Sequence, residues 1–78
     1  MSNRVLRCIQ AAFDLDPEEV STSIRQEHVE GWDSIGTLGL ILCLEEEFGV
    51  SIAPETARLM TGFPEIVVQL RLLGIDPD

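Results

Sequence analysis

From Gly31 to Gly49 the sequence reads GWDSIGTLGLILCLEEEFG, a stretch that carries both its own start and its own stop. Asp33 suits the N-cap, where a carboxylate accepts from the free amides of the first turn, and Gly49 suits the left-handed conformation that ends many helices. A helix between them is predicted, with Ser34 at its entrance. At about 100° per residue, Leu40, Leu44, Thr37, Phe48 and Ile41 form one stripe, while Ile35, Leu38 and Leu42 extend the apolar arc round the side beyond Ser34. The arc spans roughly 220°. An ordinary surface helix buries a stripe of only ~100°. The sequence therefore asks for a core on one side of this helix and a second partner on the other.

The remaining segments are shorter and depend on it. With 78 residues the chain is expected to be one domain, 1–78, with a modest core, and 45% hydrophobic against 5% aromatic residues suits an aliphatic helical interior. Ser2 can cap a first helix in which Val5, Leu6, Ile9, Ala12 and Phe13 recur at helical spacing, with Arg4, Arg7 and Gln10 on the outer face. Asp16 and Pro17 then read as the cap and first position of a tight turn or short helix. The connection from Asp14 to Asp33 is long for a structureless loop, so Leu15, Val20, Ile24 and Val29 are expected to dip into the core and Ser21, Thr22 and Ser23 to cap local backbone. Trp32 is expected partly buried at the loop's neck.

After Gly49, Val50-Ser51-Ile52 leads through Pro54 into a helix of barely two turns ending near Met60. Phe63-Pro64-Glu65 starts the last helix, with Ile66, Val67, Leu70 and Leu73 as its buried stripe and Gly74 as its end. The expected fold is all-α, a small four-helix bundle with three longer helices, a short third helix and a long loop between helices 1 and 2.

Charge narrows the partners. Fourteen acidic residues against five arginines give a formal net charge of −9. Such a chain repels phosphate backbones and anionic headgroups, so neither nucleic acid nor membrane is an expected partner. A protein with a basic docking patch is, because complementary fields speed encounter. Cys8 and Cys43 both lie in apolar helical pattern and are expected as buried free thiols. No ligand spacing for a metal accompanies them. No signal sequence opens the chain and no apolar run approaches a membrane span, so the expected location is cytoplasmic. Ser34 as a hydrolytic nucleophile would need an adjacent base and an orienting third group, and the single His28, in a loop, cannot fill both posts. The expectation is no catalytic residue, no enzyme and a monomer.

The order Asp33-Ser34-hydrophobic, a helix of Leu and Ile, then Leu-Glu-Glu-Glu-Phe-Gly-Val followed by Ile52, resembles the acyl carrier protein family, with Asp33 to Ile52 the specific part. The resemblance implies a discrete, standalone carrier. In that family the serine of the Asp-Ser pair bears 4'-phosphopantetheine, which by similarity places the cofactor on Ser34, with Asp33 beside it for recognition by a phosphopantetheinyl transferase. It further implies that acyl or aminoacyl groups ride as thioesters between loading and condensing enzymes. Ile35, Leu38 and Leu42 would face enzymes and cargo, and Leu40, Leu44 and Phe48 the bundle core. An exposed hydroxyl at a helix N-terminus suits an attached phosphodiester, since the free amides there carry partial positive charge.

Glu45, Glu46 and Glu47 sit at the negative end of their helix, where the dipole and like charges disfavour them by a few tenths of a kcal/mol each. A steering role toward basic enzymes is expected for them rather than a role in stability. Gly36 and Gly39 stand where carriers of primary fatty-acid synthesis usually show acidic residues, and each is expected to cost about 1 kcal/mol relative to Ala. Gly36→Asp and Gly39→Glu are accordingly expected to stabilise the helix, and a specialised fatty-acid or polyketide-type pathway is expected. The alternative from another class is a non-carrier acidic helical adaptor whose second stripe docks on a protein groove.

Overall fold

Asp33 starts the central helix as its chemistry dictates. In the computed structural model, which describes residues 3–77, its Oδ1 accepts the Gly36 amide at 2.9 Å and its carbonyl oxygen accepts the Thr37 amide at 2.8 Å. Four helices follow one another: α1 (Asn3–Phe13), α2 (Ser34–Phe48), α3 (Pro54–Ala57) and α4 (Phe63–Leu72). The expected all-α bundle is what is observed, and among the described residues the only extended pairing is a bridge between Arg25 and Gly62. No described helix is long and apolar enough to cross a membrane. The expected Ser2 cap lies outside the described residues.

α2 ends at Gly49, whose φ of 65° is the left-handed conformation that an L side chain resists and glycine adopts freely. Leu40 and Leu44 are fully buried and Ile41 nearly so, and they pack with Val5, Cys8 and Ile9 of α1 and Ile66 and Leu70 of α4 in one core. Each such side chain contributes about 1.5–3 kcal/mol relative to exposure. Cys8 is buried as expected and both thiols are free, but Cys43 is only half-buried, because it lies on the flank of α2. Burial foremost, and the hydrogen-bonded Cys43 thiol next, push the Cys8 thiol up to about 12.

Three further expectations change. Trp32 is 4% exposed rather than partly buried, since its ring stacks on Phe13 with centroids 4.9 Å apart. Leu73 is exposed. α4 stops at Leu72, the chain reverses at Gly74 (φ 83°), and the Ile75 amide returns to the Leu70 carbonyl at 3.0 Å, so that Ile75 packs on the core in place of Leu73. Third, α3 is a single turn. After Ala57 the chain tightens into bonds from the Leu59 amide to the Thr56 carbonyl and from the Met60 amide to the Ala57 carbonyl, which drives Met60 into the core.

The long connection is pinned at several points. Asp14, at φ 52°, ends α1, and a 3-10 turn spans Pro17–Glu19, with the Asp16 amide donating to Glu19 Oε1 at 3.0 Å. Asp16 is the N-cap of this turn and Pro17 its first position, as expected. Ser21 Oγ accepts the Ser23 amide at 3.4 Å, the expected local cap, and the two hydroxyls bond to each other at 3.1 Å. Ile24 and Val29 are buried, while Leu15 and Val20 are half-buried. A second 3-10 turn spans Gln26–His28, and exposed His28 uses Nδ1 to accept the Arg25 amide at 3.3 Å, a loop role.

This loop is clasped to the junction of α3 and α4. The Gln26 amide donates to the Thr61 carbonyl and the Phe63 amide to the Ile24 carbonyl, both at 2.9 Å. Arg25 Nη1 and Glu65 Oε2 close the same clasp at 2.6 Å. The Arg25 hydrogen bond holds the Glu65 carboxyl below the usual carboxylate range, and Glu65 in turn raises Arg25. Both groups are over a third or nearly a third exposed, so solvent screens the pair and the backbone bonds carry most of the clasp.

Candidate functional site

The N-terminal turn of α2 leaves one hydroxyl free. Ser34 is the first residue of the helix, exposed, and its Oγ makes no hydrogen bond among the described residues. Asp33 takes the Gly36 and Thr37 amides, which leaves those of Ser34 and Ile35 without an acceptor among the described residues. The hydroxyl thus sits at the positive end of the longest helix, on a backbone fixed by its neighbour rather than by itself.

Gly36 is part of that construction. A Cβ added there would run into the Gly31 carbonyl oxygen and come within 2.9 Å of a Phe13 ring carbon, so the loop before Trp32 folds down onto this glycine. Gly36→Asp would therefore have to displace the Gly31 backbone and is expected to destabilise, contrary to the expectation from helix propensity. At Gly39 nothing lies within 4 Å of the position a Cβ would take, so the position has room for a side chain.

On the face next to Ser34, Ile35, Leu38 and Leu42 are 80%, 63% and 64% exposed, as a partner-facing stripe requires. A groove of about 470 Å3 opens beside them, walled by Ser34, Thr37 and Leu38 from α2 and by Pro54, Ala57 and Arg58 from and just after α3. Trp32 forms part of the wall, and its buried indole Nε1–H has no acceptor. Ser34 and Asp33 meet Leu38 at this groove, whereas Leu42, Glu45 and Glu46 meet at a second, shallower hollow of about 500 Å3 further along α2. Ile35 lines neither.

The three glutamates divide. Glu46 is exposed as expected of a steering charge. Glu45 Oε2 accepts the Ile52 amide at 2.7 Å and holds the chain that leaves α2. Glu47 Oε2 meets Arg4 Nε at 2.8 Å, while the same guanidinium donates to the Glu47 carbonyl at 2.6 Å and lies 4.4 Å from the centre of the Phe48 ring. Two of the three therefore serve structure, which corrects the expectation that none would, and Arg4 is a tie between α1 and α2 rather than an outer-face charge. Sequence reasoning also missed the groove residues Arg58 and Trp32, because an arginine beside a one-turn helix and an aromatic residue in a loop carry no periodic signal.

An attached phosphopantetheine fits these residues: a free hydroxyl, open amides at the helix end, and an adjoining groove within the ~300–1,000 Å3 of small-molecule sites. Comparison with known protein families finds a match over residues 3–64 to the family described as phosphopantetheine attachment site. No curated protein matches the chain.

Proposed function

Because this chain belongs to the phosphopantetheine-attachment family, whose members carry covalently attached 4'-phosphopantetheine, we propose that Ser34 is its attachment residue and that residues 1–78 form one carrier unit for acyl or aminoacyl groups. The observation that supports this best is the free, exposed Ser34 hydroxyl at the start of α2, inside the matched segment. When bound, the group supplies a long flexible arm ending in a thiol.

Asp33 holds the first turn of α2 closed so that a transferase meets a fixed backbone with a mobile hydroxyl. Ile35, Leu38 and Leu42 offer enzymes an apolar stripe without disturbing the core, since their side chains are outside it. Exposed Glu46, within the −9 net charge, favours encounter with basic docking patches on the transferase and on loading and condensing enzymes. The chain itself contributes no reacting group beyond the Ser34 hydroxyl, so we read it as a carrier and not an enzyme. The glycine at position 39, where carriers of primary fatty-acid synthesis usually show an acidic residue, supports service in a specialised fatty-acid or polyketide-type pathway. A cytoplasmic monomer is the form in which we expect it to work.

The experiment is mass spectrometry of the purified chain after incubation with coenzyme A and a broad-specificity phosphopantetheinyl transferase. The wild type should gain one prosthetic-group mass, and Ser34→Ala should gain none while keeping its helical circular dichroism and melting temperature. A wild type that stays unmodified, or a Ser34→Ala variant that is still loaded, would overturn the assignment.

A further inference from the structure

The groove beside Ser34 carries a charge that the reading above does not use. Of the five arginines, Arg4 and Arg25 are engaged by Glu47 and Glu65, whereas Arg58 is exposed, makes no ion pair among the described residues and is the only cation among the described residues that line the groove. Asp33 is the only anion there, and its Oδ1 is bound to the Gly36 amide. Trp32, the one tryptophan of the chain, lines the same groove with an indole N–H that has no acceptor. Buried donors left unpaired are costly and therefore uncommon.

In a chain of net charge −9, an unpaired guanidinium sharing a groove with the Ser34 hydroxyl, at the end of a helix whose first amides lack acceptors and beside a tryptophan whose buried N–H is unpartnered, is an arrangement suited to an anion. We propose that this groove is a binding site for an anionic oxygen group carried at Ser34, with Arg58 as its ion-pairing residue. Two groups have that chemistry: the phosphodiester that would join the arm to Ser34, and a carboxylate at the far end of a dicarboxylic acyl group. Either would draw the arm against α3 instead of leaving it free in solvent. The proposal rests on Ser34 as the attachment residue.

The test uses the full chain, loaded by a transferase, as wild type, Arg58→Gln and Arg58→Lys. Each is prepared with the bare arm, with an acetyl group and with a malonyl group labelled with carbon-13 at its free carboxylate. Phosphorus NMR reads the linkage, carbon NMR the carboxylate, and Trp32 fluorescence the groove. If the phosphodiester is the bound group, the phosphorus shift and the Trp32 emission differ between wild type and Arg58→Gln in all three forms, the difference disappears at high salt, and Arg58→Lys largely restores the wild-type signal. If the carboxylate is bound, only the malonyl form distinguishes the variants, in its carbon shift. Identical spectra for wild type and Arg58→Gln in every form overturn the proposal while leaving attachment intact. A chain that gains no mass at Ser34 overturns both, and the mass spectrum taken before any NMR tells the two failures apart.

Discussion

The two sides of α2 have nearly the same composition and opposite fates. Leu40 and Leu44 are wholly buried between α1 and α4, while Leu38 and Leu42, two residues before each, stand more than three-fifths exposed. A leucine at one position holds the bundle together, and a leucine two positions away does nothing for it. Apolar character alone therefore does not mark the core of this protein. What separates the faces is which of them α1 and α4 can reach, and the uncovered one begins at Ser34. Under the proposed function, the exposed apolar stripe beside Ser34 is the surface offered to partners, whose contact would supply the burial that the fold does not.

The comparison can be broken most severely at Leu44. Leu44→Ala should cost about 2–5 kcal/mol in urea unfolding, as a large-to-small change in a filled core, and a loss no greater than that of Leu42→Ala would erase the distinction between the faces. The glycines repeat the contrast on a smaller scale. Gly36→Ala, forced against the Gly31 carbonyl and Phe13, should lower stability by about 1–3 kcal/mol despite its better helix propensity. A rise in melting temperature for that variant would show that the loop moves aside freely. Gly39→Ala, on the open surface, should instead stabilise the protein by up to about 1 kcal/mol. The smallest effect on folding belongs to Leu42→Ala, within about 0.5 kcal/mol in the same melts, while its binding to partner enzymes should weaken measurably by calorimetry or kinetics.

Much of this was legible in the residues, and the reasons it was not complete are physical. Asp33 and Gly49 bound α2 through local chemistry, so the helix and the position of Ser34 follow from sequence alone. The double stripe also follows, since it needs only the helical period. Gly36 could not be read, because its constraint is the Gly31 carbonyl folding back across a turn, and propensity at that position points the wrong way. Glu45 and Glu47 look like an unfavourable charge block until the Ile52 amide and Arg4, distant along the chain, are brought to them. Leu73 keeps the helical period of α4 but falls where the helix has already ended. Each miss is a place where a tertiary contact or a chain reversal overrides a local rule.

The clasp between the long loop and the junction of α3 and α4 has a kinetic consequence. It joins the Ile24–Gln26 segment to the Thr61–Phe63 segment across the whole of α2 and α3, and contacts between such distant segments carry a closure entropy that local helix formation does not. Its two backbone bonds belong to one bridge and cannot open separately without breaking the pairing. In native-state hydrogen exchange the Gln26 and Phe63 amides should therefore share one opening free energy and respond together to denaturant. Breaking the clasp would loosen the Gln26, Met60 and Thr61 side of the groove that Ser34 borders, so the same two amides would gauge how often the proposed resting place of the arm comes apart.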